Sequence, residues 1–274
     1  MDHGPLHVTA DRGVVTVTID LPPLNVLGGE LIGALLGLLP ELERDPSVRV
    51  VVFRSADPDF FVMHGDVEAL VAVPPSDYQP VTEPNIAAVT FQRITTEPFV
   101  TIGVLDGAAR GGGCELLSAL DLRVGSPRAV IGQPEVPMGI LPGAGGTVRW
   151  PRFVGRARAL EIILTGRDLS ADEALALGWL QAVVPGEQLD EHVTALAHRI
   201  ARMPPASIAA VKQVVDRSLA GLDDALVAES DALHRLMAGG AHTEPMRRFL
   251  AAGGQTREGE TVHMASLLDA MLDG

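Results

Sequence analysis

Cysteine is nearly missing from this 274-residue chain: Cys114 stands alone, which excludes an internal disulfide and any multi-cysteine zinc site. Lysine is equally scarce, because every basic residue except Lys212 is an arginine. Schiff-base and phosphate-loop chemistries both need a placed lysine. Lys212 lies instead in a helical pattern of apolar residues, Ile208, Val211, Val214 and Val215, so neither chemistry is expected. His192 and His198, in a helical stretch, are six apart rather than at the H-x-x-x-H spacing of a metal site, and no G-x-S-x-G elbow is present. Aromatics are only 4% of the chain, so the core must be aliphatic. No apolar run reaches the ~18 residues of a membrane span. The opening Met1-Asp2-His3-Gly4-Pro5 carries no basic-then-apolar leader, and the expectation is a cytoplasmic protein. Positive charge is also short, 21 Lys+Arg against 35 Asp+Glu, a net −14 that repels nucleic acid and anionic membranes.

What is present alternates between strand and helix. Val14 to Asp20 is β-branched and alternating. Leucines at 31, 35, 38, 39 and 42 predict a helix over Gly29 to Arg44. Val50-Val51-Val52-Phe53 reads as a strand buried on both faces within Arg49 to Ser55. Proline-rich Ala69 to Pro84 reads as a loop, Asn85 to Thr96 as a helix and Phe99 to Leu105 as a further strand. The β-α-β-α-β order predicts a parallel sheet with right-handed crossovers. Short strands are expected at Leu122 to Val124 and Ala129 to Ile131, and the chain becomes helical after Pro142. Ser170-Ala171-Asp172-Glu173 has the form of a capping box opening a helix that Gly178 ends. The reading is one α/β core to about Val184 followed by a helical extension, without a linker or a fixed-period repeat.

Two segments stand out chemically. Asp106 to Leu116 takes a strand into Gly111-Gly112-Gly113 and then opens a helix. Three adjacent glycines permit close approach of a ligand to the backbone, and a helix start offers free N–H groups and a positive dipole end. Together they suit an anion or oxyanion, although a tight structural turn would use the same residues. The segment Ile131 to Gly146 fixes Glu135 in an irregular, proline-bounded loop between apolar neighbours, where desolvation would raise its pKa. Glu115 lies in the first turn after the glycines. Two carboxyl groups converging on one water would be pushed apart in pKa, so that one takes a proton while the other gives one. Addition of water across a conjugated double bond needs that pairing. A third βα connection, Asp59 to Val67, opens at the same kind of strand end.

With these residues assembled, the chain resembles the enoyl-CoA hydratase/isomerase superfamily, the crotonases, from about Val14 to Phe249. Phe61-Val62-Met63-His64-Gly65-Asp66-Val67 resembles the family's F-S-A-G-A-D-I segment, and Gly111-Gly112-Gly113-Cys114-Glu115-Leu116 matches G-G-G-C-E-L. Gln133-Pro134-Glu135 through Pro142-Gly143-Ala144-Gly145-Gly146-Thr147-Val148-Arg149 matches Q-P-E…P-G-A-G-G-T-x-R, and Leu164-Thr165-Gly166-Arg167 through Gly178 resembles L-T-G…A-x-E-A…G-L. The resemblance implies an α/β, crotonase-like spiral of ββα units over 1–198 carrying the active site. It implies a helical C-terminal region over 199–274 for trimerisation and pocket cover, in a homotrimer or dimer of trimers. The substrate would be an acyl-CoA thioester, with coenzyme A as part of the substrate and no separate cofactor or metal. The N–H groups of Met63 and Gly112 would hold the thioester oxygen, Glu115 would deprotonate water and Glu135 would protonate the α-carbon. Val62, His64, Gly65, Asp66, Val67, Gly111, Pro134 and Gly143 would line the substrate site. The pair of glutamates favours hydration of 2-enoyl-CoA, as in fatty acid metabolism. Isomerase, other lyase or hydrolase activity, or a catalytically weak acyl-CoA-binding protein, are the alternatives.

The chain also departs from the family. Met63-His64 replaces the usual Ala-Gly, Glu68 stands where lysine is frequent, and Glu97 where a basic residue is frequent. His64 would narrow the channel, bond to Asp66, transfer protons or simply fill space. Arg110, Arg93 or Arg247-Arg248 would then meet the CoA phosphates. Cys114 reads as a small buried hydrophobe rather than a nucleophile.

Overall fold

β-Branched residues build the main sheet. The computed structural model describes residues 3–219, 221–240, 242–262 and 267, so part of the expected 199–274 region lies outside the described residues. β1 (Leu6–Asp11) and β2 (Val14–Ile19) form an antiparallel hairpin. Its two-residue turn, Arg12-Gly13, has φ of 46° and 84°, the doubly positive pair that matches the twist of paired strands. α1 (Gly29–Arg44) follows, and its leucines at 31, 35, 38, 39 and 42 are all buried. β3 (Val50–Ser55) then lies parallel to β2. After α2 (Val67–Val71), the loop to residue 85 and α3 (Ile86–Thr96), β4 (Val100–Leu105) pairs in parallel with β3.

A second, three-stranded sheet begins at β5 (Ala108–Arg110), which enters α4 (Gly112–Ala119). β6 (Leu122–Gly125) returns to the main sheet, while β7 (Val130–Gly132) pairs in parallel with β5. α5 (Gly146–Val154) and α6 (Arg156–Thr165) lead to β8 (Asp168–Ser170), antiparallel to β7. α7 (Ala171–Ala176) carries the expected capping box, with both Ser170 and Glu173 bonds formed. β9 (Ala182–Val183) closes the main sheet in the order β1-β2-β3-β4-β6-β9. The helices α8 (Gly186–Ala201), α9 (Pro205–Ser218), α10 (Leu222–Ala238), α11 (Thr243–Ala251) and α12 (Arg257–Val262) complete the described chain.

The aliphatic core expected from composition sits between the sheets and α1, α3, α4 and α6, around Val17, Leu35, Phe53, Leu117 and Ile162. The two tryptophans, Trp150 and Trp179, stack at 5.9 Å inside it. Lys212 is structural: its Nζ donates to Asp121 Oδ2 and to the Phe99 carbonyl, both at 2.7 Å. β1 differs from expectation: it carries little strand signal in the sequence, because four of its six residues are exposed and one face is polar. α5 falls in the stretch after Pro142 expected to be helical.

Candidate active site

Three parallel segments deliver the site to one edge of the small sheet. Residues 60–63 run beside β5, through a parallel bridge from Phe60 to Ala108 and hydrogen bonds from Phe61 N to Ala108 O and from Arg110 N to Met63 O. β5 pairs Arg110 with Gly132 of β7, and Gly111 N donates to Gly132 O at 3.0 Å. His64-Gly65, Gly111-Gly112 and Gln133-Pro134-Glu135 therefore leave three neighbouring strands at the same end, where ligands sit on parallel sheets. All of these except Gln133 line a cavity of about 440 Å³ together with Glu115, Gly143, Ala144 and an apolar wall that includes Ile32, Leu70, Ile86, Met138, Ile140 and Leu233.

The glycines are required by close approach. Gly111 has φ +46°, and a Cβ there would lie 2.8 Å from Glu135 Oε1. A Cβ on Gly113 would lie 1.7 Å from the Val62 carbonyl oxygen. Glycine alone lets the helix start pack against both the acid and the neighbouring strand.

Both glutamates are buried, and each is held differently. Glu115 Oε1 accepts from Ala144 N at 2.7 Å and Gly146 N at 2.8 Å. Gly145 N and Val148 N are taken by a third buried carboxylate, Glu229 of α10, at 2.6 and 3.0 Å. The amino end of α5 thus divides its free amides between two acids, an arrangement the helix dipole favours. Desolvation raises Glu115 to about 7, against the opposing effect of the Gly146 and Ala144 amides and Arg149. Desolvation and the charge of Glu115 raise Glu229 to about 8. Glu135 is pushed well above the usual carboxylate range by burial first and by the Glu115 charge second. The Gln133 amide, oriented by its neighbours, donates to both Glu135 oxygens at 3.0 and 3.1 Å and accepts from Trp150 Nε1 at 3.1 Å. The acid loop is therefore tied to the core.

The amide donors fall one step from where the sequence reading placed them. Met63 N–H is not free, since it donates to Leu24 O at 3.2 Å, and the Met63 side chain is buried in a cluster with Leu24 and Phe249. Val62 is likewise core, with no face on the cavity. Gly65 N–H has no partner among the described residues. The carbonyl of the same peptide unit, His64 O, accepts from Leu27 N at 2.8 Å, which turns the trans peptide so that Gly65 N–H points the other way. Gly112 begins α4 and has no helical acceptor one turn back. A Cβ on Gly112 would lie 3.3 Å from Gly65 N, so the two residues adjoin.

The remaining expected residues, His64, Asp66, Val67, Pro134 and Gly143, do line the cavity. His64 bonds to Glu260 rather than Asp66, at 2.9 Å from Nε2 to Oε1. Arg110 is buried against Asp168 with bonds of 2.7 and 2.6 Å, which removes it from any role at CoA phosphates. Arg93 pairs with Glu43 and Glu97, and Arg248 with Glu244. Cys114 is fully buried, and its thiol pKa is driven up by desolvation and the two nearby carboxylates. Sequence reasoning missed Gln133, Glu229, Glu260 and Asn85. The last caps α3 and donates to Gly143 O at 2.6 Å.

The nested sheets, with their glycine-cradled acids, define an enzyme of crotonase architecture. Residues 9–253 match the family profile described as enoyl-CoA hydratase/isomerase, and the chain belongs to that family. A probable mitochondrial enoyl-CoA hydratase 2 of Arabidopsis thaliana is 34% identical over 211 residues, 77% of this chain and 69% of that protein. A short-chain-enoyl-CoA hydratase of Clostridium acetobutylicum is 30% identical over 239 residues, 86% of this chain and 91% of the other. A solved Streptomyces avermitilis structure, proposed to be an enoyl-CoA hydratase, superposes with a TM-score of 0.86 at 35% identity over the whole of both chains.

Proposed function

We propose that this enzyme adds water across the double bond of 2-enoyl-CoA thioesters to give 3-hydroxyacyl-CoA. The observation that carries the reading is the convergence of two buried carboxyl groups with unequal surroundings, Glu115 and Glu135, beside two adjacent free amides. The thioester oxygen would accept from Gly65 N–H and Gly112 N–H, which hold the negative charge that develops there as the enolate forms. Glu115 keeps one oxygen anchored to two amides and leaves the other without a bond from the described residues. That oxygen takes the proton of a water whose oxygen attacks C3. Glu135, protonated near neutral pH, gives its proton to C2. One proton is taken and one given, so atoms balance, and exchange between the two acids resets the site. The apolar wall suits an acyl chain.

Crotonyl-CoA hydration, followed by loss of the conjugated thioester absorbance, tests the reading. Glu115→Gln and Glu135→Gln should each lower kcat by roughly 10²–10⁴ with a small change in KM. A wild-type enzyme that shifts the double bond of a 3-enoyl-CoA but never adds water would replace hydratase with isomerase.

A further inference from the structure

The strand-end loop that carries Gly65 is held by a segment far away in the sequence. Three residues near the C-terminal end of the described chain reach back to it. Gln255 Oε1 accepts from Val67 N at 2.7 Å, and Gln255 Nε2 donates to Asp66 Oδ1 at 3.1 Å. Arg257 pairs with Asp57 and Asp59 at the start of the same connection. Glu260, its side chain wholly buried, meets His64, which is 3% exposed.

The His64 ring lies between two acceptors. Nδ1 is 2.8 Å from Gly65 O, and Nε2 is 2.9 Å from Glu260 Oε1. A carbonyl can only accept. Glu260 Oε1 also accepts from Gln255 N at 2.8 Å, as an ionised carboxylate does. Nδ1 therefore carries the hydrogen, and the ring bridges the Gly65 carbonyl and Glu260. Arg110 stands 3.9 Å from Glu260 Oε2 and is itself paired with Asp168. Glu135 approaches Gly111 from the other side, with Oε1 2.8 Å from the Gly111 Cβ position and the His64 Cβ 3.3 Å from it. The Phe249 ring packs edge-on to the imidazole at 5.7 Å and excludes water.

We propose that His64 is a positioning residue for the reaction, a buried ring pinned by Glu260 that fixes the Gly65 backbone so that its N–H meets the thioester oxygen. Leu27 N–H holds the carbonyl on one side of Gly65, and His64 Nδ1–H holds the carbonyl on the other, so both peptide planes flanking the donor are set. This inference rests on the reading of Gly65 N–H as a donor to that oxygen.

The test compares His64→Ala and Glu260→Gln with wild type, using three probes: crotonyl-CoA turnover, acetoacetyl-CoA binding and butyryl-CoA binding. Acetoacetyl-CoA binds as an enolate that places charge on the thioester oxygen, whereas saturated butyryl-CoA does not. Both variants should lose roughly 10–100-fold in kcat with KM within about threefold, His64→Ala losing more. Acetoacetyl-CoA should weaken about tenfold, and butyryl-CoA should hold near wild-type affinity. Wild-type kcat in the folded variants overturns the proposal, as does equal weakening of the two ligands, which would make His64 a wall and no more. A wild-type protein that hydrates nothing sinks the hydratase reading alone, because the ligand comparison still decides the role of His64. Should both variants fail to fold, Gln255→Ala, which cuts the bonds to Asp66 and Val67 and leaves His64 in place, carries the same expected directions.

Discussion

At the scale of single residues, the proposed division into base and acid rests on burial. As the proposed base, Glu115 would be ionised to take a proton from water, and it stands at about 7. As the proposed acid, Glu135 would be protonated to give one, and its pKa lies well above the usual range. The profile of kcat/KM for crotonyl-CoA should therefore be a bell that falls on the acid side below about pH 7 and again at alkaline pH. A rate unchanged from pH 5 to 7 removes Glu115 as the base. The same raised values bear on stability with a definite sign. A carboxyl group whose folded pKa exceeds its unfolded pKa binds more protons when folded, so its contribution is complete below the unfolded value and fades as pH rises through the folded one. For Glu229 that window runs from the ordinary 4.5 to about 8. Wild-type melting temperature should fall relative to Glu229→Gln between pH 5 and 8, a difference of roughly one proton in the linkage. Parallel curves for the two proteins would show that Glu229 is ionised throughout.

Between residue and molecule, the elements show which parts of the site a sequence can announce. Asn85 has two tasks at the start of α3: its Oδ1 accepts from Ala88 N at 3.0 Å, and its Nδ2 donates to Gly143 O. Asn85→Ala should cost about 1 kcal/mol in urea unfolding. It should also lower kcat, by loosening the loop that runs from Gly143 to the amides on Glu115. Asn85→Asp keeps the cap and loses the donor, so its stability should stay near wild type while kcat still falls. If the aspartate variant has full activity, the bond to Gly143 is idle. α1, α3, β3, the Ser170 capping box and the three-glycine entry to α4 were legible, because each rests on neighbours within a few positions. Glu115 and Glu135 were legible because glycines and prolines crowd around them. Met63 was misplaced because the partner of its amide, Leu24 O, lies 39 residues away, and nothing local records which N–H in the loop is engaged. Glu229 and Glu260 look like solvent-facing acids of two late helices, and only tertiary packing buries them. β1 was invisible for the opposite reason, since an edge strand facing water needs little hydrophobic pattern.

For the whole molecule, α9 presents an imbalance. Lys212 docks one face of the helix on Asp121 and the Phe99 carbonyl. The helix and its C-cap nevertheless leave Val211, Val214, Val215 and Leu219 exposed by 63%, 65%, 52% and 47%. Positions i, i+3, i+4 and i+8 form one continuous apolar stripe of the kind that contacts between proteins use. We propose a second copy of this chain as its occupant, in keeping with the homo-oligomer expected from the sequence. Sedimentation should then give a mass that is a multiple of 28.8 kDa. Each copy carries −14, so copies repel, and raising the salt should tighten the assembly by screening that repulsion while leaving the apolar contact intact. Val214→Asp adds a charge at the centre of the stripe without touching the packed face of the helix, and it should release folded subunits at low salt. Were wild type to sediment as a single chain at every salt concentration, self-association through α9 would be wrong, and the valines would be left for a different partner.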